Sequence, residues 1–168
     1  MGWVVGVGWV GPASRMIRAM REGYRLIENA PGVEAYLALR ELSGLSPKTR
    51  EQAAAALPGS WAACHVVHEP TGETVGMGRV LGDGGWYFHV VDMAVLPAHQ
   101  RRGLGDAVLT SLLERIRSHA PKGAYVNLLA DPPGRRLYAR HGFTETAPRS
   151  IGMALRLGGS PSRTAATT

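Results

Sequence analysis

An abrupt change of hydrophobic period across residues 97–105 constrains this chain more than any other feature. Before it, Trp86 to Val95 is a run of aromatic and β-branched residues, the make-up of a buried strand. After it, Leu104, Val108, Leu109, Leu112, Leu113 and Ile116 recur at helical spacing until Pro121 ends the pattern. A strand must therefore feed a basic turn, Gln100-Arg101-Arg102-Gly103-Leu104-Gly105-Asp106, that opens a long amphipathic helix. Gly103 and Gly105 let the backbone turn tightly and approach a ligand. The free N–H groups of the first helical turn, with the helix dipole, favour phosphate, and Arg101 and Arg102 add charge at the same place. A plain surface loop would carry similar residues, so the surroundings decide between the two.

Those surroundings predict a mixed α/β layer fold with helices on both faces of a mostly antiparallel sheet. A strand over 24–27 is followed by a helix bearing Val33, Tyr36, Leu37, Leu39 and Leu42, then by a second helix starting at Ser46-Pro47 and ending at Pro58-Gly59. Period-two runs over 61–68, 74–81 and 86–95 form an antiparallel meander. Beyond the long helix come a short buried strand over 125–129, a helix over 132–141 ending at Gly142, and a last strand over 150–157. The domain therefore spans 23–157, after an extension (1–22) and before a tail (158–168) whose Gly, Ser, Thr and Ala content predicts disorder. In the extension Met16, Ile17, Met20 and Tyr24 recur at helical spacing opposite Arg15, Arg18, Arg21 and Arg25, which reads as a basic amphipathic helix or as an upstream piece without a role.

With 168 residues and one cysteine, Cys64, a single domain is expected, without intramolecular disulfides or Cys-based zinc, suited to a reducing compartment. The apolar first 13 residues lack a basic n-region and are broken by glycines and Pro12, so the expected location is cytoplasmic. Net charge is +6, and 17 of the 19 basic residues are Arg, the side chain that grips phosphate in a bidentate way. Either a nucleotide-like partner or scattered surface charge accounts for that surplus.

The turn and its strand resemble the GNAT superfamily of acyl-CoA-dependent N-acyltransferases, whose signature is Gln or Arg, two residues, Gly, one residue, Gly or Ala. Gln100, Gly103 and Gly105 fill the three places, after Val95-Leu96-Pro97. A second block, Asp131-Pro132-Pro133-Gly134-Arg135-Arg136-Leu137-Tyr138-Ala139-Arg140-His141-Gly142-Phe143, matches the family at Tyr138, Gly142 and Phe143 and departs from it at Asp131 (commonly Asn) and Gly134 (commonly Ala). The resemblance implies that Arg101 to Asp106 bind the CoA pyrophosphate and that the strand ending at Val95 splays from the one starting at Tyr125. Pantetheine then lies along Met93, Ala94 and Val95, with a backbone amide near Val95 polarising the acyl carbonyl. Asp131 and Arg136 are added as cofactor contacts, Asp131 reading equally as a helix N-cap.

The resemblance further implies an acetyl group moving from acetyl-CoA, or another acyl-CoA, to a primary amine by direct attack, without metal. Tyr138 matches the family's general acid to the CoA sulfur, the alternative being that it only packs over the cofactor. His89, eleven residues before Gln100, occupies the place where histone-acetylating members carry a glutamate base. It is expected to share a face with Met93 and Val95; Asp92, a chain of waters, or a purely structural His89 are the alternatives. His65 and His68 face opposite sides of a strand and form no metal site, Cys64 reads as a buried hydrophobe, and Trp86, Tyr87 and Phe88 read as core packing or as an acceptor pocket. An aminoacyl-tRNA donor, a non-catalytic CoA-binding module and a homodimer remain compatible with the residues.

Overall fold

Period-two patterning produces the sheet it predicts in the computed structural model, which describes residues 22–157. The basic stretch of the extension, up to residue 21, and the tail 158–168 lie outside the described residues. Five strands, β1 (Tyr24–Ile27), β2 (Ala62–His68), β3 (Glu73–Gly82), β4 (Tyr87–Val95) and β5 (Tyr125–Leu128), pair in sequence order. β1 to β4 are antiparallel and β5 is parallel to β4. The described residues fall into two compact units, one through Ala130 and one from Asp131.

In the first unit, α1 (Val33–Leu42) and α2 (Arg50–Ala56) fill the crossover from β1 to β2, and α3 (Leu104–His119) links β4 to β5. α2 starts later than Ser46-Pro47 suggests, because Thr49 and Gln52 form a reciprocal capping box that satisfies the first amides at Arg50. Ser46 is used otherwise: its carbonyl and hydroxyl oxygens accept from Arg40 Nε and Nη2 at 2.8 and 3.1 Å. The apolar stripe of α3 buries Leu104, Val108, Leu109, Leu112, Leu113 and Ile116, each contributing about 1.5–3 kcal/mol by leaving water. Its approach to the sheet is close, since a Cβ on Gly78 would fall 2.7 Å from Val108 and 2.6 Å from the sulfur of Met93.

A bulge in β4 changes the facing of the strand. The register with β3 runs from Arg79↔Val91 to Met77↔Ala94, so β4 carries one residue too many, and Asp92 takes φ 55° in the left-handed region. Met93 therefore turns toward α3, as its contact at Gly78 shows, while Asp92 turns toward Tyr36 and Arg40 of α1. This corrects the expected alternation. His89 lies opposite its neighbours Phe88 and Val90, which are buried on the α3 face, and so shares its face with Asp92 rather than with Met93 and Val95.

The second unit holds a 3-10 turn (Pro132–Gly134) running into α4 (Arg135–Arg140). The helix expected over 132–141 is thus split, its first turn wound as a 3-10 turn in which the Gly134 N–H donates to the Asp131 carbonyl three residues back at 2.9 Å. The strand expected over 150–157 is not formed: residues 151–156 carry no regular structure, and Ile151, Met153, Leu155 and Leu157 are 70–89% exposed. An alternating sequence becomes a strand only with another strand beside it to take its N–H and C=O groups.

Candidate active site

β4 and β5 pair over only four rungs, from Tyr87↔Tyr125 to Val90↔Leu128. Beyond Val90, residues 91–95 keep β3 on one side, and among the described residues no strand flanks the other. The sheet thus opens where the family resemblance implies a splay, leaving main-chain groups of an internal strand on a free edge. Ala94 is buried, whereas Met93 and Val95 are half-buried.

The free edge runs into the basic turn. Gln100 Nε2 donates to the Val95 carbonyl at 3.0 Å and ties the strand end to the turn. Arg101 (φ 60°) and Gly103 (φ 80°) take left-handed backbone conformations, which make the turn tight. Gly103 is the N-cap residue of α3, and its positive φ is strained for any side chain. Leu104 is buried and anchors the helix start, Gly105 and Asp106 complete its first turn, and Arg101 and Arg102 are exposed.

One rung inside the opening, His89 of β4 faces Asn127 of β5, and His89 Nδ1 hydrogen-bonds to Asn127 Oδ1. Asn127 Nδ2 is buried and has no hydrogen-bond partner among the described residues. Nearby on the same face of β4, Asp92 is held from three sides. Its Oδ1 accepts from Arg40 Nη1 at 2.5 Å, and its Oδ2 accepts from Tyr36 Oη and Arg79 Nε at 2.7 Å each. Arg79 Nη1 also donates to the Ala56 carbonyl and to Ser60 Oγ, so the cluster binds α1, the end of α2 and β3 to the bulge. Burial alone would raise the pKa of Asp92, but the bonds from Tyr36 and Arg79 and the charges of Arg79 and Arg40 outweigh it and hold the carboxyl below its ordinary range. With both oxygens occupied and its proton affinity lowered, Asp92 is unsuited to serve as a general base.

Within the second unit Tyr138 lies on α4 and Arg136 is exposed beside it. Burial first, and the Asp131 carboxylate second, raise the Tyr138 phenol above its ordinary pKa. Asp131 stands at the N-cap position but makes no side-chain cap bond. Gly134 departs from the family's alanine for a visible reason, since a Cβ there would lie 2.8 Å from the Tyr138 ring. Of the remaining candidates, Phe88 is core against Trp61, Trp86 and Tyr87 are exposed, and burial pushes the Cys64 thiol up to about 12, far from nucleophilic.

The profile of the acetyltransferase (GNAT) domain matches residues 60–145. A solved structure from meticillin-resistant Staphylococcus aureus, a protein of unknown function given as a probable acetyltransferase, is 37% identical with a TM-score of 0.75, over 79% of this chain and 98% of its own. The chain belongs to the GNAT acetyltransferase family. Two further GNAT-like folds are glucosamine-6-phosphate N-acetyltransferase from Arabidopsis thaliana (18% identity, TM-score 0.60, 81% of this chain and 99% of that one) and the Escherichia coli ribosomal-protein-S18-alanine N-acetyltransferase (17%, 0.60, 73% and 78%). No curated protein matches the chain. As a GNAT member the protein is an acyltransferase, of a family that draws acyl groups from acyl-CoA and delivers them to amines. No helix among its described residues is long and apolar enough to cross a membrane.

Sequence reasoning missed Tyr36, Arg40, Arg79 and Asn127. An aspartate inside an apolar strand signals a buried cation nearby, and an asparagine between Val126 and Leu128 signals a polar bond across strands, but neither names its partner.

Proposed function

We propose that this GNAT enzyme transfers an acetyl group from acetyl-CoA to a primary amine of a small molecule or an exposed peptide, in the cytoplasm, by direct attack on the thioester. One observation carries the reading: the free edge of β4 past Val90 leads into the left-handed turn that opens α3 and bears two exposed arginines. A strand edge suits the amides of a pantetheine arm, and the turn suits a pyrophosphate. Main-chain groups of Met93, Ala94 and Val95 hold the arm, while the amides of residues 101–106 and the side chains of Arg101 and Arg102 hold the phosphates. His89 takes the proton of the attacking amine. Tyr138, kept protonated by its raised pKa, gives one to the leaving thiolate; Asp131 and Arg136 assist from the same segment.

Calorimetry with acetyl-CoA tests the donor. Arg101→Ala/Arg102→Ala is expected to weaken binding at least about tenfold, the loss of one or more charge-assisted hydrogen bonds. Absence of binding by the wild type at low salt would overturn the reading and direct attention to an aminoacyl-tRNA donor, whose affinity falls steeply with salt.

The exposed stripe Ile151, Met153, Leu155 and Leu157 supports a homodimer, since apolar side chains in such a row rarely stay in water. Light scattering is expected to give the mass of two chains and Leu155→Lys the mass of one; a monomeric wild type at high concentration would refute the dimer.

A further inference from the structure

We infer that Asn127 is a positioning residue, which fixes the proton of His89 on Nδ1 so that Nε2 presents its lone pair to the attacking amine. The inference rests on the acyl-CoA reading above and goes beyond it by assigning the orienting group. A carboxamide oxygen only accepts hydrogen bonds. With Asn127 Oδ1 placed against it, His89 Nδ1 is the donor, and in the neutral ring the other nitrogen is left as the basic one. This is the logic by which a base is aimed by a third group in nucleophilic sites, realised here across two parallel strands.

Three features point to function rather than packing. The pair lies on the second-last rung before β4 and β5 part. It stands on the face of β4 that carries Asp92, away from the apolar core of Phe88 and Val90. Finally, Asn127 Nδ2 is a buried donor that no group among the described residues satisfies, which leaves it able to bond a further acceptor. A reactant oxygen in the opening would satisfy it.

The ring nitrogens of His89, read by 15N NMR in the free protein, report the tautomer without any acceptor. The wild type is expected to show a protonated Nδ1 and a bare Nε2. Asn127→Asp, which keeps an acceptor oxygen, should preserve that state, whereas Asn127→Ala should release the ring to the Nε2–H form that a free side chain favours. In assays with saturating acetyl-CoA, Asn127→Ala should lower kcat for a primary amine at least about tenfold while acetyl-CoA affinity is unchanged, and Asn127→Asp should restore most of it, a split that a merely structural pair would not produce. A wild-type His89 protonated on Nε2, a tautomer unmoved in Asn127→Ala, or an Asn127→Ala enzyme with unchanged kcat would overturn the inference. Acetyl-CoA calorimetry on the same samples separates the two readings: no binding by the wild type overturns the acyl-CoA reading itself, whatever the tautomer.

Discussion

Asp92→Ala is expected to destabilise the protein by about 3–5 kcal/mol, the usual consequence of removing one partner from a buried ion cluster. Arg40 and Arg79 are each 5% exposed and both pair with the same carboxylate. Without it, two buried guanidinium groups, each within 5.6 Å of the Tyr36 ring centroid, lose the carboxylate they share. The bulge would also lose the bonds that hold Asp92 at a positive φ, a conformation alanine adopts at a further cost. Asp92→Asn keeps the shape and removes the charge, so most of the loss should remain.

The same cluster sets an acid limit. The carboxyl is held below its ordinary range in the folded protein, so it contributes stability that is fully present above the unfolded carboxylate pKa of about 3.9 and is lost as pH falls through the lower folded value. Urea unfolding of the wild type should therefore weaken below about pH 4 in a way that Asp92→Asn does not reproduce. Equal stability of the two proteins at neutral pH would show that the cluster is not what holds the bulge.

His89→Gln and Tyr138→Phe are each expected to lower kcat by about a hundred- to ten-thousand-fold, the span of general acid–base catalysis, with little change in acetyl-CoA affinity. The two losses differ in kind. Glutamine in place of His89 can still accept a hydrogen bond but cannot hold the amine proton as the thioester carbonyl is attacked. Phenylalanine in place of Tyr138 keeps the ring packed over Gly134 and removes only the hydroxyl. Initial rates with saturating acetyl-CoA across a panel of primary amines provide the test. A Tyr138→Phe enzyme with unchanged kcat would assign Tyr138 to packing, and an unchanged His89→Gln enzyme would leave proton removal to solvent.

Much of the architecture was legible because it depends on local periodicity. Alternation over β2, β3 and β4, the stripe of α3 and the glycines of the turn specify strand, helix and the tight turn between them through neighbours a few residues apart. The spacing of Gln100, Gly103 and Gly105 and the block around Tyr138 carried the family resemblance in the same way. The facing of His89 could not be read so. A bulge adds one residue and reverses every side chain beyond it, and the alternation of 87–95 does not reveal that Asp92 leaves the pleat.

Long-range pairing decided the rest. Asp92 lies 52 residues from Arg40 and 13 from Arg79, and His89 lies 38 from Asn127; only the folded sheet brings them within bonding distance. Residues 150–157 show the converse, a strand pattern left open because a strand is completed by its neighbour. By itself the sequence determined most of the strands and the long helix of the first unit and which family the chain resembles, since these follow from short-range sterics, periodicity and motif spacing. Tertiary structure alone decided that Asp92 is a buried anchor and that His89 meets an asparagine, because electrostatic and hydrogen-bond partners are set by proximity in space, which no local pattern encodes.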